Sequence, residues 1–343
     1  MKKDFWSKST VAVIGGGSWG SVLASVISQN VKNVHVWVRD YEQAKLMNET
    51  RSNPKYVKDL VLAKNVTVTS DFVKLFESEC QVIIWCLPSK VCRELAKQVA
   101  PYLKGNELIL HATKGVEEGS MKRVSTILRE ELPCRRIGVI SGPNLAGEIA
   151  KNEPAATVVA SEFNEVVEAG VALLTLPQFR VYAGADVVGV EWAGTLKNIF
   201  AIAAGVLDAL KLGWNARALL LTRGLAEMTR FGVAMGADEG TFLGLAGVGD
   251  LMATCSSPLS RNYRVGFALA SGKPLDQILK DLGATAEGVR TTQILSDFAK
   301  ERKIYMPITH AVSDLLEGKK PLQETLNSLM SRPAMPDIGL EKF

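Results

Sequence analysis

The stretch from Thr10 to Gly20, TVAVIGGGSWG, constrains the fold of this chain most, because a short apolar run feeds into Gly15, Gly17 and Gly20 and then into a helical pattern. A strand that turns directly into a helix offers the helix's unpaired N–H groups to an anion. Gly15 can make the tight turn, Gly17 lets the backbone approach a pyrophosphate, and Gly20 lets the helix lie close on the strand. The context strengthens the motif: Val11, Val13 and Ile14 precede it, and Val22, Leu23, Val26 and Ile27 follow at helical spacing. The alternative, a purely structural glycine turn, leaves that context unexplained.

Apolar runs alternate with helical segments up to about residue 185, the pattern of a parallel sheet covered by helices. Strands are predicted at Val11 to Gly15, Val34 to Arg39, Asn65 to Thr69, Val82 to Cys86, Glu107 to His111, Ile137 to Ser141, Ala156 to Ala160 and Phe179 to Tyr182. Ser18 to Gln29, Lys90 to Tyr102, Met121 to Glu131 and Phe163 to Leu174 read as the helices between them. From Val187 onward long amphipathic helices take over, first Val190 to Leu212 and then Ala216 to Met235. The chain therefore reads as α/β plus all-α: a doubly wound sheet domain over residues 1–186 and an all-helical domain over residues 187–343. With 343 residues, 47% of them hydrophobic, each half can fill its own core.

The net charge of +4 is spread along the sequence without basic runs, which argues against nucleic acid as the partner and leaves room for a local basic pocket. The cysteines, Cys80, Cys86, Cys92, Cys134 and Cys255, are odd in number and widely separated, as expected of reduced cytoplasmic thiols. The opening MKKDFWSKST has no apolar segment behind its lysines, so no signal peptide is read there. No membrane span is expected, since no uncharged apolar stretch reaches about 18 residues.

Arg39 stands at the end of the second predicted strand, where a nicotinamide dinucleotide presents its ribose. An arginine at that corner suits a 2′-phosphate and favours NADP(H), while Asp40 beside it keeps NAD(H) open. Polar clusters follow later strands at Pro88-Ser89-Lys90, at His111 to Gly115 with Lys114, and at Ser141 to Asn144. In the helical half, Lys197 and Asn198 interrupt an otherwise apolar helix. A lysine in such a stretch must reach solvent or meet a partner in a cleft, and burial would fit it for proton transfer. Asp250 is the lone carboxylate of a glycine-rich apolar turn, and Ser260-Arg261-Asn262 follows. An acid to orient a lysine and an arginine to hold a phosphate are both present. Of the histidines, His35 falls in a strand and His310 on a late helix, and His111 has no evident partner for a His/Asp dyad. No metal-ligand spacing and no G-x-S-x-G elbow appears.

These residues resemble the NAD(P)-dependent sn-glycerol-3-phosphate dehydrogenase family over nearly the whole chain. The resemblance rests on GGGSWG, ATKG at Ala112 to Gly115, SGPNLAGE at Ser141 to Glu148, LKN at Leu196 to Asn198, NARALLLTRGLAEM at Asn215 to Met228, GLAGVGDL at Gly244 to Leu251, SRN at Ser260 to Asn262 and EG at Glu287-Gly288. It implies a Rossmann-type first domain, NADP(H) or NAD(H) as cofactor, and reduction of dihydroxyacetone phosphate to sn-glycerol 3-phosphate for phospholipid synthesis. It implies cofactor contacts from Gly15, Gly17, Ser18, Trp19, Gly20, Arg39, Lys114, Ala146, Arg261, Thr285 and Glu287. Lys114, Gly142, Asn144, Lys197, Asp250, Ser260, Arg261 and Asn262 would touch substrate, with Lys197 as proton donor and acceptor and Asp250 and Asn198 orienting it. Two positions depart from the family pattern: Asn144 where bacterial members more often have Thr or Ser, and Thr285 where an aliphatic residue is usual. A β-hydroxyacid or ketopantoate-type reductase is the rival enzyme, against which the SRN segment argues. A nicotinamide-binding module without catalysis would not need Lys197, Asp250 and Arg261 together. A homodimer is the expected assembly.

Overall fold

The computed structural model describes residues 3–282 and 286–333. The chain divides into two compact units, Met1–Glu191 and Trp192–Phe343. The first is built on ten strands: β1 (Thr10–Ile14), β2 (Asn33–Trp37), β3 (Ser52–Asn53), β4 (Val57–Val61), β5 (Val66–Thr69), β6 (Val82–Trp85), β7 (Leu108–His111), β8 (Ile137–Ser141), β9 (Ala155–Ser161) and β10 (Phe179–Gly184). Eight of them form one sheet in the order β10-β9-β8-β7-β6-β1-β2-β5, and β3 and β4 make a separate hairpin.

Both faces of the sheet are covered, which is why its strands read as continuous apolar runs. Val11, Val13, Val34, Val36 and Ile84 point into one core, with Val22, Leu23 and Ile27 of the helix Ser18–Ser28. Their neighbours Ala12, Ile14, Ile83 and Trp85 point into the other, with Cys92 and Ala96 of the helix Cys92–Val99 and Ile127 and Leu128 of the helix Val124–Glu131. The period of two in side-chain direction sorts consecutive residues between the layers.

All eight strands of the main sheet fall where the sequence predicts strands, but the sheet is not wholly parallel. β8 pairs antiparallel with β9, while every other neighbouring pair is parallel. The link from Gly142 to Pro154 holds only the five-residue helix Ala146–Ala150. A parallel neighbour needs a crossover that returns the chain to the start of the sheet, whereas an antiparallel one needs only a turn back. The helix Tyr41–Thr50 and the β3–β4 hairpin lie outside the predicted elements. The helix did carry a signal: Asp40 with Gln43 three residues later has the pattern of a capping box.

Among the described residues no strand follows Gly184. The long helices are Val187–Ala209 and Trp214–Ala234, each shifted by a few residues from its predicted bounds. Val187–Ala209 is the one described helix long and apolar enough by length and composition to cross a membrane, but it carries Glu191, Lys197 and Asp208, and 89% of its most apolar window is buried inside the protein. A helix apolar on all sides is what a core position selects.

Candidate active site

The chain leaves β1 where the strand order reverses, with β2 on one side and β6 on the other. Ligands of open α/β sheets bind at that point, beyond the carboxyl ends of the strands. Gly15 has a φ of +111°, and a Cβ there would lie 2.3 Å from the carbonyl oxygen of Cys86. A Cβ on Gly20 would come within 1.8 Å of Gly15 O, so the helix can sit this close to the turn only without one. Around Gly17 a Cβ would meet nothing within 4 Å. That space lies over the start of the helix Ser18–Ser28, whose N-cap, Gly17, supplies no side-chain acceptor and whose first turn holds no acid. An uncapped N-terminus beside open space fits the pyrophosphate of a dinucleotide.

The neighbours of the turn are partly those expected. Ser18 Oγ donates to Tyr56 O at 3.3 Å, and Trp19 packs against the core. Arg39 is exposed just past the end of β2. Asp40 beside it caps the helix Tyr41–Thr50, its Oδ1 accepting from Glu42 N at 2.9 Å and Gln43 N at 3.3 Å. Asn53 on the hairpin was not foreseen. Its buried Nδ2 donates to Gly16 O at 2.9 Å and Ser21 Oγ at 2.8 Å, bracing the glycine-rich turn from outside. No local sequence signal marks it, since its partners lie more than thirty residues away.

Lys114 is half-buried on the loop after β7, next to Thr113, whose hydroxyl donates to Leu87 O at 2.8 Å. His111, for which the sequence offered no partner, faces one: its Nε2 lies 3.2 Å from Glu191 Oε1, a distance for an ion pair with the protonated ring but not an aligned hydrogen bond. The His111 side chain is wholly buried, so this pair cannot meet a substrate as a catalytic dyad. Gly142 has a φ of +146°, and a Cβ there would lie 3.1 Å from Thr157 Cα on β9. Asn144 is turned to the same strand, with Nδ2 donating to Ala156 O at 3.0 Å and Oδ1 accepting from Thr157 Oγ1 at 2.9 Å. Ala146 opens the helix Ala146–Ala150 and packs against the core.

In the helical unit, Lys197 is 6% exposed on the helix Val187–Ala209. Its Nζ donates to Asp250 Oδ1 at 2.5 Å and to Thr254 Oγ1 at 2.6 Å. Thr254 in turn lies 3.1 Å from the same Asp250 oxygen. Asp250 and Thr254 sit at i and i+4 of the helix Asp250–Ser256, one turn apart on one face. Thr254 was missed in the sequence, where a threonine four residues after an acid is unremarked. Asn198, expected to orient the lysine, donates back to Gly194 O at 3.5 Å instead. Burial and the Asp250 carboxylate push the nearby Cys255 thiol up to about 12, against the pull of Lys197, so it offers no thiolate.

A second cluster forms where the helix Arg261–Ala270 crosses the Lys197 helix. A Cβ on Gly266 would lie 1.8 Å from Ile202 O, and one on Gly205 1.9 Å from Tyr263 O, so the two backbones touch. This approach brings Asn262 near Asn198: Gly288 N donates to Asn262 Oδ1 at 3.0 Å, and a Cβ on Gly288 would meet Asn198 O at 2.9 Å. Ser260 is the N-cap of the helix Arg261–Ala270, with Oγ accepting from Tyr263 N at 3.3 Å. Arg261, the first residue of that helix, is exposed, and Glu287 opens the helix Glu287–Glu301 half-buried. Thr285 lies outside the described residues.

The sequence matches the N-terminal domain of NAD-dependent glycerol-3-phosphate dehydrogenase over residues 10–167 and its C-terminal domain over residues 186–327. It is 44% identical over 331 residues to the glycerol-3-phosphate dehydrogenase [NAD(P)+] of Teredinibacter turnerae, covering 96% of this chain and 97% of that one. It is 45% identical over 328 residues to the enzyme of the same name from Pseudomonas fluorescens, covering 96% and 92%. The crystal structure of glycerol-3-phosphate dehydrogenase from Coxiella burnetii superposes with a TM-score of 0.90 at 34% identity, over 95% of this chain and 99% of that one. A ketopantoate reductase from Ralstonia eutropha shares the fold alone, at 15% identity and a TM-score of 0.56. With this identity sustained over both units, the chain belongs to the NAD(P)-dependent glycerol-3-phosphate dehydrogenase family.

Proposed function

We propose that this chain reduces dihydroxyacetone phosphate to sn-glycerol 3-phosphate, reversibly and with NADPH or NADH, with Lys197 as the proton-transfer residue. The observation that carries this reading is the buried lysine held at 2.5 Å by Asp250 and at 2.6 Å by Thr254 in an otherwise apolar helix. A nicotinamide dinucleotide held through its pyrophosphate at the turn from Gly15 to Gly20 would supply the hydride. Asp250 and Thr254 each accept a hydrogen bond from the Lys197 ammonium, which fixes where it stands on its helix. Lys197 then gives its proton to the oxygen that becomes the alcohol, a general-acid contribution of about 10²- to 10⁴-fold. Lys114 adds a second positive charge to stabilise the developing alkoxide.

The substrate's phosphate goes to Arg261, whose planar guanidinium can make two charge-assisted bonds and which stands at a helix N-terminus beside Ser260 and Asn262. Gly142 and Asn144 complete the substrate contacts, and Ser18, Trp19, Arg39, Lys114, Ala146, Arg261 and Glu287 those to the cofactor. Arg39, a cation past the end of β2, favours NADPH, the more so because Asp40 is engaged as a helix cap. A cytoplasmic location and a homodimeric assembly belong to the same proposal, supported by free thiols and by the commonest symmetry of soluble enzymes.

The test is loss of NADPH and of NADH absorbance on adding dihydroxyacetone phosphate or ketopantoate. Turnover is expected with the first ketone only, and at lower KM with NADPH. Turnover with ketopantoate alone would overturn the substrate assignment, and preference for NADH would overturn the role of Arg39.

A further inference from the structure

Glu191 belongs to no step of the reaction above, yet it is one of the most elaborately bound side chains of the sheet unit. Only 4% of its side chain is exposed. Its Oε1 accepts from Ser125 N at 2.9 Å and lies 3.2 Å from His111 Nε2. Its Oε2 accepts from Ser125 Oγ at 2.6 Å and pairs with Arg123. His111 is the last residue of β7, and Ser125 the second of the helix Val124–Glu131, so these partners stand at the two ends of one loop, residues 112–123. Lys114 is on that loop, three residues from His111.

We propose that Glu191 is a positioning residue that sets Lys114, by tying together the two ends of the loop on which Lys114 stands. The helix Val124–Glu131 begins with Arg123 as N-cap, which supplies no side-chain cap. Glu191 does that work from a distant part of the sequence, accepting the N–H of Ser125 while its second oxygen holds the Arg123 guanidinium. The near end of the loop is fixed independently, by Ala112 N donating to Trp85 O at 2.8 Å and by Thr113 Oγ1 on Leu87 O. Its middle is fixed by a two-pronged bond from Arg93 to Glu117, at 2.6 and 2.9 Å. Glu191 closes the base between these supports.

Burial alone would raise the Glu191 carboxyl, but His111, Arg123 and Ser125 together hold it down to about 2. The group is therefore a fixed charge across the working range. A buried ion cluster gains little stability over an apolar one of the same shape, but it admits few geometries. Here the geometry it restricts is that of the loop bearing a lysine of the reaction.

This inference rests on the role of Lys114 proposed above, and a double-mutant cycle separates the two. Glu191→Gln keeps the shape and an acceptor for Ser125 N but removes the charge that holds Arg123. It is expected to lower kcat/KM for dihydroxyacetone phosphate about tenfold in the wild-type background and less than about twofold in Lys114→Ala, where nothing is left to position. The same factor in both backgrounds would show that Glu191 acts through its own helix or through the fold, and would overturn the proposal. If Lys114→Ala alone leaves kcat/KM unchanged, the role of Lys114 fails and the proposal with it. Should Glu191→Gln not fold, Ser125→Ala, which removes one bond and no charge, enters the cycle in its place with the same two outcomes and an expected loss of about threefold.

Discussion

The turn after β1 and the lysine cluster of the helical unit, the two regions to which the proposed function assigns binding and proton transfer, are made from different materials. At the turn the protein offers backbone: Gly15 and Gly20 exist to let main-chain atoms come within 2.3 Å and 1.8 Å of where a Cβ would be, and Gly17 leaves its space open. In the helical unit the protein offers side chains, with Lys197, Asp250 and Thr254 buried together within 3.1 Å of one another. A backbone site tolerates almost any residue that leaves its path intact and fails when a side chain is added. A buried side-chain site fails when one is removed, because its partners are then left charged or unpaired.

The difference can be broken most sharply at Lys197. Lys197→Met is expected to lower kcat at least ~10²-fold while the Kd for NADPH changes less than about twofold. Loss of nucleotide affinity of the same size as the loss of turnover would show that the two regions do not work separately.

Buried charge also separates the two units, through a pair of glutamates that each cap a helix from afar. Glu191 in the sheet unit has a cation beside it, whereas Glu227 in the helical unit accepts from Ile308 N at 2.5 Å, Thr309 N at 3.1 Å and Thr309 Oγ1 at 2.9 Å. Burial raises the Glu227 carboxyl to about 7, more than those hydrogen bonds and Arg230 can offset. Between about 4.5 and 7 the folded state then keeps a proton that the unfolded state has released, so stability falls as pH rises through that window. Glu191, held at about 2, has the opposite sign: its contribution is present above about 4.5 and is lost as pH falls toward 2. Measured by thermal unfolding from pH 5 to 8, Glu227→Gln is expected to gain on the wild type by up to about 3 kcal/mol as pH rises. A constant gap between the two proteins would mean that Glu227 is not titrating there.

The smallest effect tests the turn itself. Gly17→Ala is expected to leave the melting temperature unchanged and weaken NADPH binding about tenfold, since its Cβ enters only the space kept for the ligand. Gly20→Ala should instead cost about 1–3 kcal/mol of stability by pressing on Gly15 O. If Gly17→Ala binds NADPH as the parent does, the open space at that residue is not where the pyrophosphate lies.

The two regions were unequally legible. The eight strands of the main sheet could be read because each is a short apolar run with its own local period, and the glycine turn because its requirement is a sequence of residues in a row. The sequence also showed that Lys197 needs a partner, and Asp250 was a fair candidate as the lone acid of an apolar turn. It could not show Thr254, which matters only through its place one helical turn after Asp250, nor that Asn198 turns back to Gly194 O. Asn144 stands in the sequence only as an expected substrate contact after β8, and the sequence does not show that both ends of its side chain are taken by β9, where the chain folds back antiparallel.

What the sequence determined by itself was therefore the alternation of strands and helices, the break to a helical second half, and the glycine-rich turn from strand to helix, each of which depends on neighbours within a few residues. What only the tertiary structure decided was which polar groups share a hydrogen bond. Asn53 reaches Gly16 from the hairpin, Glu191 caps a helix that starts at Val124, and Glu227 caps one that starts at Pro307. Such pairings are set by where elements cross, and crossings depend on packing over long sequence separations, where a buried donor takes whichever acceptor the fold brings within about 3 Å.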